Sequence, residues 1–180
     1  MKMKSLAILA CLLASTSALS YEFSTGKVFL RVVVGPVVNV FRYDDLSSEA
    51  SPSAGLMLGL EAEYVVTRPW SLIAGFRPTF SSGSIDLKFG AGAKYRWDNL
   101  GMPIILYTAL ELTPALLVPT TNASTHFNLG IRPSFGADYF VMRDLVLGAQ
   151  LALDPSMLVT ERFRSFEASI EFLLSIMVKI

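Results

Sequence analysis

Apolar residues recur at every second position along most of the chain, in eight successive segments. Val28, Leu30, Val32, Val34, Val38 and Val40 share one face of a first segment, and Ala54, Leu56, Leu58, Leu60, Ala62, Tyr64 and Val66 share one face of a second. Trp70, Leu72, Ala74, Phe76 and Phe80 mark a third, and Ile85, Leu87, Phe89, Ala91, Ala93, Tyr95 and Trp97 a fourth. The fifth carries Ile104, Leu106, Leu110, Leu112, Leu116 and Val118, interrupted by Thr108. The sixth runs from Phe127 through Leu129, Ile131, Phe135, Ala137 and Tyr139 to Val141. Leu145, Leu147, Ala149, Leu151 and Leu153 form the seventh, and Phe166 through alternate positions to Ile180 the eighth. A period of two places these side chains on one face of a β-strand. The segments run about 11 to 15 residues, longer than ordinary soluble strands and enough to cross a membrane.

Within these segments the charges fall on the opposite face, and none falls on the apolar one. Lys27, Arg31, Arg77, Lys88, Lys94, Arg96, Arg132 and Lys179 stand against Glu61, Glu63, Asp86, Glu111, Asp138, Asp154, Glu167 and Glu171. Gly35, Gly59, Gly75, Gly90, Gly92, Gly130, Gly136 and Gly148 share that face and leave room for long charged side chains. Equal numbers of each sign allow complete pairing. Arg77, Arg96 and Arg132 are the expected hubs, because a guanidinium bridges two carboxylates.

The links between segments alternate in length. Short ones fall at 67–69, 98–102 and 142–144; longer ones at 42–53, 119–126 and 154–164. The link 81–84 is short but lies on the long-loop side. This is the asymmetry of short periplasmic turns and longer outer loops. Tyr64, Trp70, Tyr95, Trp97 and Tyr139 lie beside the short turns on the apolar face, as an aromatic girdle at the periplasmic interface would. The sequence therefore predicts an all-β fold, an eight-stranded antiparallel up-and-down transmembrane barrel with both termini periplasmic. A soluble barrel would turn its charges outward, but this polar face has many glycines and few lysines. Pro36, Pro78, Pro114 and Pro133 fall inside the proposed strands, where a missing N–H predicts bulges or strand ends. Two of them sit in similar stretches, GFRPTF at 75–80 and GIRPSF at 130–135, compatible with an old hairpin duplication or with chance.

The first twenty residues follow another pattern: a basic Met1-Lys2-Met3-Lys4, an apolar run from Ser5 to Ala14, and a small-x-small Ala18-Leu19-Ser20 before Tyr21. These are the parts of a cleaved secretory signal peptide, residues 1–20, ahead of a barrel over 21–180. Cys11, the one cysteine of the 180 residues, falls in the apolar run and is expected to leave with it. Hydrophobic residues make up 52% and charged residues 17%, with mean hydropathy +0.50. Basic and acidic groups balance at 15 each, which gives no basic excess for nucleic acid.

The chain resembles the small eight-stranded outer-membrane barrels of the OmpA/OmpX/OmpW type. The resemblance rests on the alternation over residues 21–180, not on a motif. It implies insertion by the barrel-assembly machinery, whose substrates usually end in an aromatic residue; this chain ends Met177-Val178-Lys179-Ile180. The expected role is structural or surface-interacting, for a monomer among outer-membrane lipid and lipopolysaccharide, with no cofactor or metal. A narrow, porin-like channel for small solutes is the second expectation.

An enzyme reading must use His126, the single histidine. Lipid A deacylase barrels carry an H-x-S-N element, whereas this chain reads His126-Phe127-Asn128-Leu129, without the serine. Ser124 lies two residues before the histidine, but no acid is placed to complete a triad. His126 is therefore expected to be a plain loop residue and the chain non-enzymatic. Asp44, Asp45 and Glu49 read as a solvated acidic loop in preference to a cation site. Arg162 and Arg164 suit lipopolysaccharide phosphates, though ordinary surface charge is the simpler reading.

Overall fold

Each alternating segment is a strand in the computed structural model, which describes residues 24–44, 53–97, 104–120, 125–159 and 164–180. The strands are β1 (Val28–Asp44), β2 (Ser53–Val65), β3 (Trp70–Ser81), β4 (Ser84–Trp97), β5 (Ile104–Pro119), β6 (His126–Met142), β7 (Leu145–Val159) and β8 (Arg164–Lys179). Each pairs antiparallel with its neighbour in sequence, and β1 pairs with β8, so the sheet closes into a barrel. Closure leaves no unpaired strand edge. The proposed signal peptide lies outside the described residues.

One end of the barrel holds Val28, Lys179 and the links after β2, β4 and β6; we call it the turn end. At this end Trp70 and Thr67 exchange backbone hydrogen bonds of 3.1 Å, closing the β2–β3 hairpin. The links after β1, β3, β5 and β7 lie at the opposite, loop end.

Several strands run further toward the loop end than alternation suggested. β1 continues through Asp44 because a bulge between Asn39 and Phe41 shifts its register against β8. The extra residue breaks the sequence period without ending the strand. β7 continues past Asp154 to Val159, and β6 begins at His126. Asp154 and His126 are thus strand residues, not loop residues. Asp45, Glu49, Ser124 and Arg162 lie outside the described residues, while Asp44 ends β1 and Arg164 opens β8.

The prolines mark neither bulges nor strand ends. Pro36 faces Leu56 of β2 in an unbroken ladder, while the β8 side skips from Val34–Leu174 to Val37–Glu171 in the same register. Pro78 and Pro114 behave alike, with continuous pairing to β4 and β6 and a gap toward β2 and β4, respectively. Pro133 keeps its pairing with Leu110, and the gap falls toward β7. In an antiparallel ladder a residue's N–H and C=O address the same neighbour, so a missing N–H costs pairing on one side only. The strand passes through because its other ladder is intact.

Candidate functional site

Alternation divides the side chains into an outer and an inner population. The outer one is a belt of exposed aliphatic and aromatic groups on every strand, among them Leu60 at 64% exposure and Leu110 at 57%. A soluble protein would bury such a surface, and a belt of this extent marks contact with an apolar medium. Trp70 packs edge-to-face on Tyr95 with ring centroids 5.0 Å apart, and Tyr95 on Trp97 at 5.8 Å. Trp97 reaches Phe135 at 6.2 Å. With Tyr64 and Tyr139 these rings stand on the outward face near the turn end.

The inner population fills the lumen in layers. At the turn end Phe29, Val65, Ile105, Phe140, Val146 and Met177 form a buried apolar plug. The sequence reading treated the inner face as charged and missed this plug, although the parity of each residue placed it inside.

Above the plug lies a first ion layer. Arg31 donates from Nη2 to both oxygens of Asp138 at 2.9 Å. Lys94 Nζ reaches the same carboxylate at 2.9 Å and Glu63 at 3.1 Å. Arg96 pairs with Glu63 and donates to the Ser71 hydroxyl at 2.7 Å. Tyr107 completes the layer, with Lys94 Nζ 3.7 Å from its ring centroid, a cation–π contact. Arg31 also approaches Glu61 to 3.9 Å, linking this layer to the next.

The second ion layer is built on Arg77 and Arg132. Arg77 donates to Glu61 at 2.7 Å and pairs with Glu111. Arg132 donates to Glu111 at 2.5 Å and to Glu171 at 2.7 Å. Lys88 bridges Asp154 at 2.6 Å and Glu171 at 3.3 Å. Val33, Val37, Met57 and Leu173 pack as an apolar patch on the β1, β2 and β8 side.

Small residues make this filling possible. A Cβ on Gly75 would come within 3.1 Å of the Glu61 side chain, one on Gly130 within 2.8 Å of Asp154, and one on Gly148 within 2.7 Å of Asp138. These glycines are seats for the ion pairs, which is why they share the polar face.

Among the described residues, six basic and six acidic side chains are buried in the lumen: Arg31, Arg77, Lys88, Lys94, Arg96 and Arg132 against Glu61, Glu63, Glu111, Asp138, Asp154 and Glu171. Asp86 and Glu167 also face inward, half-buried, above the second layer. Lys27 is exposed ahead of β1, and Lys179 meets Asp144 at the turn end at 3.8 Å. Arg31, Arg77 and Arg132 each reach more than one carboxylate, as do Lys88 and Lys94.

His126 is half-buried beside a loop-end recess of about 340 Å³ that Ser53, Ser81, Ser82 and Ser84 also line. Ser81 Oγ is engaged with Ser84, 2.9 Å from both its carbonyl and its hydroxyl. No Asp or Glu stands among the described lining residues to orient the imidazole. The described residues contain no group of three or more His, Cys, Asp or Glu side chains arranged to hold a metal ion.

No family model and no curated protein matches the sequence. Solved structures do resemble the fold. Neisserial surface protein A superposes with a TM-score of 0.68 at 15% identity, covering 85% of this chain and 97% of that one. OprG of Pseudomonas aeruginosa gives 0.57 at 9% identity over 87% and 97%, and the N-terminal barrel domain of OprF from the same organism 0.53 at 12% over 84% and 98%. The chain therefore has the closed, eight-stranded, all-antiparallel fold of the small outer-membrane β-barrel proteins.

Proposed function

We propose that the protein is an integral outer-membrane barrel with a closed, salt-bridged lumen, serving a structural or surface-interaction role without catalysis. In this reading residues 1–20 direct secretion and are removed. The barrel-assembly machinery inserts residues 21–180 as a monomer, with both termini periplasmic. The observation that carries the reading is the pairing of two opposite faces on the same strands. Outside, large apolar side chains are exposed on every strand; inside, charged side chains are buried and paired. Lipid is the solvent that suits the first face, and a lumen sealed from bulk water suits the second. The printed name of the Neisserial neighbour, a surface protein, fits the same role.

Cell fractionation tests this. The mature chain is expected in outer-membrane fractions, with gel mobility that changes only after boiling, because a ladder without edges resists detergent. Recovery as a soluble periplasmic monomer would overturn it.

A further inference from the structure

Three adjacent strands wall a groove on the outer face of the barrel. Val32 and Val34 of β1, Leu147 of β7, and Leu174 and Ile176 of β8 enclose about 350 Å³, and no charged side chain lines it. All five are exposed aliphatic residues of the outward belt. They are contiguous because Leu147 faces Ile176 across the β7–β8 ladder, and Ile176 faces Val32 across the β1–β8 ladder. In an apolar medium such a surface takes a hydrocarbon chain.

Each of these strands also carries a cation at its turn end. Lys27 precedes β1, Arg143 precedes β7, and Lys179 closes β8. The backbone holds these ends side by side: Lys179 N–H donates to the Asp144 carbonyl at 3.1 Å, and Ile180 N–H to the Val28 carbonyl at 3.0 Å. Lys179 meets the Asp144 carboxylate at 3.8 Å, whereas Lys27 and Arg143 are exposed and have no carboxylate partner among the described residues. This rim is cationic even with a terminal carboxylate at Ile180 counted against it. Val32 lies five residues from Lys27, Leu147 four from Arg143, and Ile176 three from Lys179. At about 3.3 Å per residue, on strands tilted by ~40°, the groove begins roughly 8–13 Å from the rim. That is the depth of the acyl chains of one leaflet, half of an apolar band about 25 Å tall.

We infer that this face binds one anionic glycerophospholipid of the surrounding leaflet, its phosphate on Lys27 and Arg143 and an acyl chain in the groove. This rests on the proposed membrane placement. Ammonium and guanidinium groups donate to phosphate oxygens, and each cation near a membrane surface adds attraction for anionic headgroups. A zwitterionic headgroup brings its own cation and gains less. A second copy of the chain suits the face less. Paired through the same surface about an axis along the membrane normal, it would set one cationic rim against another.

Native mass spectrometry of the mature barrel, refolded in detergent with equimolar phosphatidylglycerol and phosphatidylcholine, tests the assignment. One phosphatidylglycerol is expected to stay bound, preferred on the order of 25-fold, about 5-fold for each of the two unpaired cations. Lys27→Gln combined with Arg143→Gln is expected to remove the preference. Leu147→Trp fills the groove and leaves the charges; it is expected to cut retention of phosphatidylglycerol about 10-fold, the worth of roughly two methylenes out of contact. Leu110→Trp, on the outward face of β5, is expected to leave retention unchanged. Should Leu147→Trp fail to fold, Val34→Phe carries the comparison. Equal retention of the two lipids would overturn the assignment. So would a preference that survives the double substitution, or retention indifferent to Leu147→Trp. A dimer mass that Leu147→Trp abolishes would make the groove an interface between copies and overturn it as well. A normal heat-dependent gel shift without lipid selectivity removes this site alone, whereas an unmodified protein with no such shift removes the membrane placement and the site with it.

Discussion

Arg77 and Arg132 grip the two oxygens of one carboxylate: Arg77 pairs with Oε2 of Glu111, and Arg132 donates to Oε1 at 2.5 Å. The two arginines occupy equivalent places in the similar stretches GFRPTF and GIRPSF. In each, the arginine points inward, and the proline after it opens one backbone ladder on the outward face. Glu111 is thus the centre of a chain that runs from Glu61 through Arg77, Glu111 and Arg132 to Glu171.

Removing a hub should cost more than its pairs return. Arg132→Met is expected to leave Glu111 with Arg77 alone and Glu171 with Lys88 alone, two buried carboxylates short of a counter-charge, and to destabilise the barrel by about 3–5 kcal/mol. Arg132→Glu adds like charges and should be worse. The urea midpoint for unfolding from detergent or lipid vesicles measures both. A change below about 1 kcal/mol in Arg132→Met would show that the network is hydrated and not a structural core.

The strand phases and the closed eight-stranded ladder were legible in the sequence because a period of two encodes both faces at once. The partners were not. Arg132 faces Glu111 across the β5–β6 ladder, but its other carboxylate, Glu171, comes from β8, and Arg31 of β1 reaches Asp138 of β6. Such pairs depend on strand tilt and barrel width, which no local pattern carries. The same limit hid the plug: Phe29, Phe140 and Met177 read as isolated apolar residues on a polar face until closure brought them together. The far end of β1 was lost for a different reason, since the bulge after Asn39 changes the parity on which the reading depended.

The outer face should reject charge in proportion to depth. Leu110 stands on the outward face in the middle of β5, opposite Pro133. Leu110→Arg is expected to cost about 2–4 kcal/mol when the barrel folds into lipid vesicles. The same substitution at Val28, beside the turn end, should cost no more than about 1 kcal/mol. Equal costs at the two positions would contradict a lipid-facing belt.

The outward prolines should be replaceable. Pro36→Ala restores an N–H facing β8 across the gap in that ladder. One recovered backbone hydrogen bond is expected to raise stability by about 1 kcal/mol at most, offset in part by greater freedom of the unfolded chain. Denaturant midpoints of Pro36→Ala and Pro78→Ala would check this. Loss of folding in either would mean that the proline holds the strand's path.

Orientation can be read on living cells. An epitope inserted between Ser48 and Ser51, in the link after β1, is expected to be labelled on intact cells. One between Asp98 and Gly101, in the link after β4, is expected to stay unlabelled until the envelope is opened. Alternating short and long links motivate the assignment. Labelling in the reverse order would place the turn end outside.

The last prediction concerns conduction. An open pore needs a continuous hydrated path, and this lumen is obstructed twice. The plug of Phe29, Val65, Ile105, Phe140, Val146 and Met177 closes the turn end with apolar side chains. The two ion layers above it hold Arg31, Arg77, Arg96 and Arg132 at 2% exposure or less, each against a carboxylate. Small barrels of this strand number are filled by side chains. The mature protein is therefore expected to show little or no steady conductance in planar bilayers. Arg132→Glu should break the second layer and admit water, but Phe29 and its neighbours would still close the turn end. Appreciable conductance is expected only when the plug is opened as well, for example with Phe29→Ser and Phe140→Ser. A stable open pore in the unmodified protein, with Arg132→Glu altering ion selectivity alone, would show that the charges line a channel and that the lumen is not closed.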